Sequence, residues 1–486
     1  MIALLLATLD EAQPLLTQLA AEPLVAEPYA TYWFAARGRR PGGFVVISGM
    51  GGAQAAAATA YAINTRGASA IINLGICGAL KDGFAPGHFC RVTAVGDEES
   101  RVLQELDGHN DVWQALPTAR LVSVREPVFG GERKTKLATH ADVVEMEGAA
   151  VAEACRQHAV PCTLLKGVSD LAHAGGREEL HRNLRSVSEL LAREVVAGLE
   201  RWPQQQQSLA NKIANFVKVE HTIFSLPLLF AGAWLGAGGR MPSLKLLGLI
   251  ALAGLGARTL GMAMNRILDR RLDLLNRRTV GRELPSGKMT PMQAWGVAFA
   301  GLLVYLVACA LLGPVCLKLA AIPAVVLISY SLLKRFTPLC HFGIGLCLAL
   351  GPLGAFVAVS GGTAMTSAVL LLALFTFCWM SGFDIIYALQ DLEADRRNGV
   401  HSIPAALGSG RAQIVAGLVH AVAVGASAWL WWLVGGGLFA GLALLVATAA
   451  FVLAYVEKVP LHVRFFPISA IAGIAGALIP LLGALR

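Results

Sequence analysis

Two stretches of this 486-residue chain carry oxygen ligands at helical spacing. The first acidic stretch, NRILDRRLD, places Asn265, Asp269 and Asp273 four residues apart, and the second, DLEAD, repeats the spacing with Asp391 and Asp395. On an α-helix, side chains at this spacing lie on one face. Hard oxygen ligands suit Mg²⁺, which proteins hold through a few carboxylates together with substrate phosphates. The two acidic stretches therefore predict a site at which Mg²⁺ ions bind a polyanion.

The elements around these stretches are long and apolar. Residues 1–202 mix charged and apolar segments as a soluble domain does, whereas the chain after Pro203 is almost continuously apolar. The polar run at 203–209 predicts a linker between domains 1–202 and 210–486. A bilayer span needs about 20 apolar residues. We therefore predict an all-α nine-helix transmembrane bundle with spans at 216–236, 244–266, 292–313, 315–333, 342–360, 366–389, 411–433, 435–456 and 464–484.

Basic residues are concentrated in the loops after the second, fourth and sixth spans. The alternate loops hold almost none, with Arg240 and Lys245 as exceptions. Because positively charged loops stay in the cytoplasm, we expect these loops, both acidic stretches and the N-terminal domain on the cytoplasmic side of the cell inner membrane. The basic set is Arg270, Arg271, Arg277, Arg278, Arg282, Lys288, Lys334, Arg335, Arg396 and Arg397.

Solvated charged loops are the simpler interpretation of the acidic stretches. That interpretation weakens because the spacing recurs and because Asp384 lies inside an apolar run, where a carboxylate is costly unless it serves an ion or a polar cavity. The net charge of +8 does not indicate nucleic-acid binding, since no basic stripe with interleaved aromatic residues is present. The nine cysteines form no CxxC pair and predict reduced, buried thiols.

Strands alternate with helices in residues 1–202, which predicts an α/β domain with a central mixed sheet flanked by helices. Ligands of such sheets bind at strand ends. Four strand-end features lie at Ser48–Ala56, Asn73–Leu80, Glu145 with Glu147, and Ser169 with Asp170; tight turns, a helix dipole or a cap explain each one separately. After an opening strand and helix, we predict strands at Phe44–Ser48, Ala70–Leu74, Phe89–Val95 and Cys162–Lys166, and helices at Gly52–Ile63, Met146–His158 and Glu178–Arg201.

Taken together and in order, the motifs DEA, GMGG, NLGICGAL, EMEG and GVSD resemble the purine nucleosidase and nucleoside phosphorylase superfamily. The resemblance is closest to methylthioadenosine/S-adenosylhomocysteine nucleosidases and futalosine hydrolases. It implies that Glu11 activates the attacking water, that Glu147 grips the ribose hydroxyls and that Met146 packs on the sugar. Asp170 is implied to protonate the purine, an acid role that eases N-glycosidic cleavage. The family often has Ser or Thr where this chain has Ile76, which favours a hydrolase over a phosphorylase.

The membrane half resembles the UbiA-type intramembrane aromatic prenyltransferases. The motifs NRILDRRLDLLNRRTVGRELPSGKM, GFDIIYALQDLEADRRNGVHSIPAALG, YSLLKR and KVEHTIFSLP carry the resemblance, which covers about residues 210–486 and agrees with nine helices. The first motif begins with Asn265 and Arg266 where many members have Asn-Asp. This version, together with RELPSG, resembles the branch associated with menaquinone synthesis by the futalosine route.

This second resemblance implies Mg²⁺-dependent transfer of a polyprenyl group from its diphosphate to an electron-rich aromatic ring. For Tyr387, which the resemblance implies to be a substrate contact, a place in the aromatic belt at the membrane interface is an equally good explanation. The implied metal ligands are Asn265, Asp269, Asp273, Asp391 and Asp395. Lys334 is implied in catalysis, and the implied substrate contacts are Arg278, Arg282, Tyr330, Arg335, Asp384 and Tyr387.

Together the two halves predict a bifunctional enzyme of menaquinone biosynthesis. The N-terminal half would hydrolyse futalosine or its 6-amino relative, and the presence of Asp170 favours the 6-amino substrate. The C-terminal half would prenylate 1,4-dihydroxy-6-naphthoate. Three alternatives stay open: a 4-hydroxybenzoate polyprenyltransferase fused to a general methylthioadenosine/S-adenosylhomocysteine nucleosidase, a prenyltransferase with a non-catalytic nucleoside-binding domain, and a transporter. Glu11, Glu147 and Asp170 argue against the second, and acids at helix ends beside basic loops argue against the third.

Overall fold

The structure, a computed structural model, describes residues 1–99, 103–106, 111–202, 208–218, 225–456 and 458–483. Its contacts divide the chain into an N-terminal unit, Met1–Gln207 with Asp273–Lys288, and a membrane unit, Ser208–Leu272 with Met289–Arg486. The segment 273–288 thus belongs by its contacts to the N-terminal unit, although in sequence it follows the second predicted span. The predicted linker at 203–209 lies largely outside the described residues, as does most of the KVEHTIFSLP motif.

The described strands of the N-terminal unit form one mixed sheet. Its order is β10-β6-β8-β9-β5-β1-β4-β3-β2, with β7 beside β6. Because β10 also pairs with β5, the path β5-β9-β8-β6-β10 closes on itself. The central strand β1 is buried along its whole length and is parallel to both neighbours. The strands are β1 Ile2–Leu6, β2 Glu22–Val25, β3 Thr31–Phe34, β4 Gly43–Ile47, β5 Ala70–Ala79, β6 Phe89–Asp97, β7 Gln104–Glu105, β8 Thr118–Ser123, β9 Val143–Glu145 and β10 Cys162–Asp170.

Five described helices accompany this sheet: α1 Leu9–Leu19, α2 Gly52–Asn64, α3 Gly131–Ala138, α4 Gly148–Gln157 and α5 Gly176–Glu200. A capping box starts α1, where the Thr8 hydroxyl accepts from the Glu11 amide at 3.3 Å and the Glu11 carboxylate accepts from the Thr8 amide at 3.2 Å. The predicted α/β architecture is confirmed. The helix predicted from Met146 instead begins at Gly148, because β9 extends to Glu145 and Glu147 is the N-cap residue of α4.

From residue 208 onwards the described secondary structure is helical. Among the described residues, seven helical stretches are long and apolar enough to cross a membrane. The helices Leu226–Gly236 and Leu438–Leu453 are apolar but shorter, so the predicted number of nine spans stays a prediction. A 3₁₀ helix at Tyr330–Arg335 continues α12. The helices are α6 Leu209–Val217, α7 Leu226–Gly236, α8 Leu244–Leu268, α9 Arg270–Leu275, α10 Pro291–Leu312, α11 Pro314–Leu319, α12 Ala321–Ser329, α13 Cys340–Ser360, α14 Ser367–Ala388, α15 Leu392–Arg397, α16 Ile403–Leu407, α17 Ser409–Leu433, α18 Leu438–Leu453, α19 Leu461–Val463 and α20 Ser469–Leu482.

Small residues let these helices approach closely. A Cβ at Gly256 of α8 would lie 2.6 Å from the Tyr305 backbone nitrogen of α10, and one at Gly232 of α7 would lie 2.2 Å from the Pro352 carbonyl of α13. Close backbone packing of this kind is typical of membrane bundles. Large apolar side chains such as Phe299 remain exposed on the outer surface, as expected where the solvent is lipid.

Candidate functional sites

A buried lysine organises the first candidate site, in the N-terminal unit. Lys166 of β10 is 1% exposed. Its ammonium donates to Asn73 Oδ1 at 2.7 Å and to Glu145 Oε2 at 2.9 Å, while the Ser123 hydroxyl donates to Glu145 Oε1 at 2.6 Å. Burial is the largest influence and by itself lowers the pKa of Lys166 and raises that of Glu145. The neighbouring charges and hydrogen bonds together outweigh burial, so the lysine pKa is raised and the glutamate pKa is lowered. The pair is therefore ionised inside the sheet.

The Gly-rich turn before α2 holds the implied sugar-binding carboxylate. The Gly51 amide donates to Glu147 Oε1 at 2.7 Å, and Gly51 has a φ of +95°, which favours glycine. The turn therefore binds a carboxylate of its own chain. Burial, followed by the negative charge of Glu145, raises the pKa of Glu147 to about 7. This places its titration near neutral pH.

Glu11 lies beside the same lysine. A Cβ at Gly75 would lie 3.6 Å from Lys166 Nζ and 3.9 Å from Glu11 Oε1, so both side chains adjoin this glycine. Burial raises the pKa of Glu11, and the charge of Lys166 opposes this. The negative charge of Glu11 in turn contributes to the raised pKa of Glu147. The structure thus brings together two of the implied site residues around a lysine that sequence reasoning did not select.

Asp170, the implied acid, ends β10. It is 3% exposed, and its carboxylate accepts from the Ser169 hydroxyl and from the Ala172 amide, each at 2.8 Å. Burial raises its pKa, which suits a group that must hold a proton until it protonates a leaving group. Met146, half-buried after β9, packs against a separate apolar cluster that contains Ala172.

The second candidate site lies in the membrane unit, where α8 ends. Asp269, 2% exposed, is the C-cap of α8. The Asn265 amide donates to Asp269 Oδ2 at 2.9 Å, and Lys334 forms an ion pair with the same carboxylate. Arg335 donates to the Leu268 carbonyl at 2.6 Å. The 3₁₀ helix that carries Lys334 and Arg335 is therefore attached to the end of the first acidic stretch.

The second acidic stretch approaches the same lysine. The charges of Lys334 and Asp391 both act on Asp395, whose carboxylate accepts from the Ser402 hydroxyl at 2.9 Å. The His401 amide donates to the Lys334 carbonyl at 2.8 Å. Lys334 thus forms an ion pair with the first acidic stretch and lies within electrostatic range of the second.

A histidine that sequence reasoning missed holds Asp384. His341, 2% exposed, places Nδ1 2.7 Å from Asp384 Oδ2. The Ile403 amide donates to His341 Nε2 at 3.2 Å, so this nitrogen is the acceptor and Nδ1 carries the proton given to Asp384. The sequence signal was a lone His at the start of an apolar span, which a satisfied core residue explains as well.

The remaining residues of the first acidic motif belong by their contacts to the N-terminal unit. Arg282 Nη1 pairs with Asp273 Oδ1 at 2.8 Å, and the Thr279 hydroxyl donates to the Asp273 carbonyl at 3.0 Å. Asp273 Oδ2 is buried and has no hydrogen-bond partner among the described residues. The Arg278 amide donates to Asn276 Oδ1 at 2.9 Å.

Among the described residues, the acidic side chains form no preformed metal cage, although their oxygen atoms are of the kind that Mg²⁺ binds. Within the described ranges, no group of three or more His, Cys, Asp or Glu side chains is placed to hold a metal ion. Mg²⁺ is commonly bound by one or two carboxylates and completed by substrate phosphates. The partnerless buried oxygen of Asp273 is of the type that a cation would satisfy.

An apolar cavity of about 480 Å³ is lined by residues of α7, α8 and the four successive helices α10 to α13. Tyr330 and Arg258 are among its few polar lining residues. Tyr330 belongs to the same 3₁₀ helix as Lys334, so the cavity adjoins the second candidate site. Tyr387 is absent from the cavity lining, and its ring centroid lies 4.1 Å from that of Phe465.

The chain matches two family models and several known proteins. Residues 225–463 match the UbiA prenyltransferase family, and residues 1–123 and 114–200 match the Phosphorylase superfamily. A 4-hydroxybenzoate octaprenyltransferase from Burkholderia vietnamiensis is 31% identical over 228 residues, which make up 46% of this chain and 77% of the relative. The mitochondrial 4-hydroxybenzoate polyprenyltransferase of Arabidopsis thaliana is 34% identical over 201 residues, 41% of this chain and 49% of the relative, so the chain spans about half its length. A futalosine hydrolase mutant from Helicobacter pylori, a solved structure, is 20% identical with a TM-score of 0.39, and the match covers 41% of this chain and 99% of that one.

Proposed function

We propose that this chain, which belongs to the UbiA prenyltransferase family, transfers a polyprenyl group from its diphosphate to a hydroxylated aromatic acid. The observation that carries the proposal is the position of Lys334, paired with Asp269 and within electrostatic range of Asp395. A cation between two carboxylate sets is suited to gripping a diphosphate. The apolar cavity at Tyr330 supplies space for the hydrocarbon tail.

The residues of this site have distinct tasks in the proposed transfer. Asn265, Asp269, Asp391 and Asp395 would hold Mg²⁺, with Asp273 assisting; the bound ion would neutralise phosphate charge. Lys334 stabilises the negative charge that appears on the departing diphosphate, and Arg278 and Arg282 contribute further positive charge. His341 fixes the carboxylate of Asp384. The apolar bundle keeps water away from the allylic cation until the aromatic ring attacks it.

For the N-terminal unit, the proposed reaction is hydrolysis of the N-glycosidic bond of a futalosine-type purine nucleoside. Glu11 is the base for the attacking water, Glu147 grips the ribose, and Asp170 gives its proton to the purine. Lys166 supports this assignment, because its positive charge acts on both Glu11 and Glu147 and favours their ionised forms. The enzyme would lie in the cell inner membrane with this unit in the cytoplasm.

A prenyl acceptor competition tests the proposal. The full chain in detergent, with Mg²⁺ and a polyprenyl diphosphate, is offered 1,4-dihydroxy-6-naphthoate and 4-hydroxybenzoate together, and the prenylated product is identified by mass. Naphthoate product is expected. Futalosine, its 6-amino relative and methylthioadenosine are then compared for base release by the same preparation. Absence of both prenylated products from a folded preparation would refute the transferase assignment.

The names of the relatives favour a second candidate. Both aligned prenyltransferases are named for 4-hydroxybenzoate. If benzoate alone is prenylated and methylthioadenosine is the better nucleoside, the chain is a 4-hydroxybenzoate polyprenyltransferase with a general adenosine-thioether nucleosidase. Nucleoside binding without base release would instead make the N-terminal unit a regulatory module.

A further inference from the structure

The segment Asp273–Lys288, here called the basic segment, packs into the N-terminal unit instead of standing alone as a solvated loop. Its apolar residues Leu274 and Val280 are 5% and 4% exposed and belong to the same apolar cluster as Phe44, Ala58 and Ile71. Burial of large apolar side chains in another element's core is not expected of an unattached charged loop. The basic segment is therefore a packed part of this unit.

Two places on the sheet hold the basic segment. At the β3–β4 hairpin, the Trp33 indole donates to the Pro285 carbonyl at 3.1 Å, and this bond is buried. A Cβ at Gly287 would lie 2.5 Å from the Ala36 amide nitrogen, so only glycine allows this approach, and its φ is +72°. At the turn before β5, a Cβ at Gly67 would meet Val280 at 3.4 Å.

The basic segment is also braced internally. The Asp273–Arg282 ion pair connects two positions of the basic segment that are nine residues apart. The Ser286 hydroxyl donates to the Arg282 carbonyl at 2.6 Å. Contacts at two external points plus an internal ion pair restrict the backbone that carries Arg278 and Arg282. A loop ordered before substrate arrives loses less entropy on binding than a mobile one.

At Gly42, a Cβ would lie 2.9 Å from the Ser286 carbonyl oxygen. We infer that Trp33, Ala36, Gly42 and Gly67 form a docking surface for the basic segment on the N-terminal unit. Docking would preorganise Arg278 and Arg282, the arginines to which the proposed function assigns the prenyl diphosphate. The arginine role rests on the proposed function, whereas the docking surface itself does not. By this inference, the N-terminal unit orders the basic segment whether or not it cleaves a nucleoside.

Trp33→Phe tests the docking surface, and Trp113→Phe is the matched control. Both tryptophans are buried in the N-terminal unit and donate an indole N–H to a backbone carbonyl, but Trp113 bonds Glu194 of α5, outside the basic segment. Limited trypsin digestion of the full chain reports on docking, because Arg277, Arg278 and Arg282 are cleavage sites within the segment. Cleavage there is expected to be about fivefold faster in Trp33→Phe, the effect of one lost hydrogen bond, and unchanged in Trp113→Phe.

Steady-state kinetics test the functional consequence. In Trp33→Phe, KM for polyprenyl diphosphate is expected to rise about fivefold, with base release unchanged. Ala36→Leu adds bulk against Gly287 without opening a cavity, and it should reproduce both effects if Trp33→Phe fails to fold. Equal cleavage in Trp33→Phe and the control overturns the docking surface. Faster cleavage with an unchanged KM overturns the preorganisation, while wild-type protein without prenyl transfer refutes the proposed function alone.

Discussion

Lys334 forms an ion pair with Asp269 although 65 residues separate the two in the chain. Asp269 is almost fully buried at the end of α8, and the 3₁₀ helix brings the lysine to it. The same lysine acts electrostatically on Asp395. One cation therefore links the two acidic stretches whose spacing first indicated a polyanion site.

Asp269→Asn should abolish prenyl transfer and spare base release. It removes both a proposed metal ligand and the charge that holds Lys334 in place. The rate of prenyl transfer is expected to fall by more than about a hundredfold, because mutation of residues that merely contact a metal ligand already lowers activity by up to that factor. Product mass and purine release are measured on one preparation, and Asp391→Asn should behave alike.

Asp170→Ala is the reciprocal variant. It removes the proposed acid of the N-terminal unit, so purine release should be lost while prenyl transfer continues. A folded protein in which either Asp269→Asn or Asp170→Ala silences both reactions would contradict the assignment of two separate sites.

Lys166→Met should destabilise the N-terminal unit, because Glu145 would remain charged and buried without its partner. Breaking a buried pair in this way costs about 3–5 kcal/mol. The double variant Lys166→Met with Glu145→Leu removes both charges and should recover part of that stability, measured by urea unfolding of the full chain in detergent. Recovery is incomplete because the Gly148 amide and the Ser123 hydroxyl lose their buried acceptor. Base release should stay low in the double variant, since Glu11 and Glu147 lose the positive charge beside them. Recovered base release would show that the pair serves the fold alone.

Base release should lose activity in acid with a midpoint near pH 7. Burial and the charge of Glu145 raise the pKa of Glu147 to about 7, so this group gains a proton as the pH falls through that value. Its grip on the ribose hydroxyls requires the carboxylate form, and below the midpoint the ionised fraction falls about tenfold per pH unit. The profile of kcat/KM for purine release measures this limb. An acid limb near the usual glutamate pKa would contradict the environment described for Glu147.

Ala257→Leu should impair the use of long prenyl chains. Ala257 of α8 lines the apolar cavity, and the larger side chain takes space from the hydrocarbon tail. KM for a long polyprenyl diphosphate is expected to rise about tenfold, the usual effect of a lost apolar contact in a pocket, with geranyl diphosphate affected less. Ala421→Leu makes the same change at an exposed position of α17 outside the cavity lining and is the control. Equal effects on both chain lengths would place the tail elsewhere.

Local sequence patterns determined much of the secondary structure of this protein. Alternation and apolar runs predicted the strands at Phe44–Ser48 and Ala70–Leu74, which the structure has as Gly43–Ile47 and Ala70–Ala79, because strand and helix periodicity is written in consecutive residues. The same runs predicted the apolar helices. The four-residue spacing predicted that Asn265 and Asp269 lie on one helix face, and in the structure their side chains are hydrogen-bonded at 2.9 Å. Candidate functional motifs could be recognised from the sequence where their residues are close together in the chain.

Only the tertiary structure decided which distant groups share a site. Lys166 lies in an apolar strand and His341 lies near the start of an apolar span, so the sequence pattern assigned neither residue a role. Lys166 bonds Glu145, which is 21 residues away in the chain. His341 bonds Asp384, which is 43 residues away. The packing of the basic segment on the sheet likewise joins Trp33 to Pro285 across 252 residues. Such pairings depend on the closure of long loops and on shape, which periodicity along the chain does not encode.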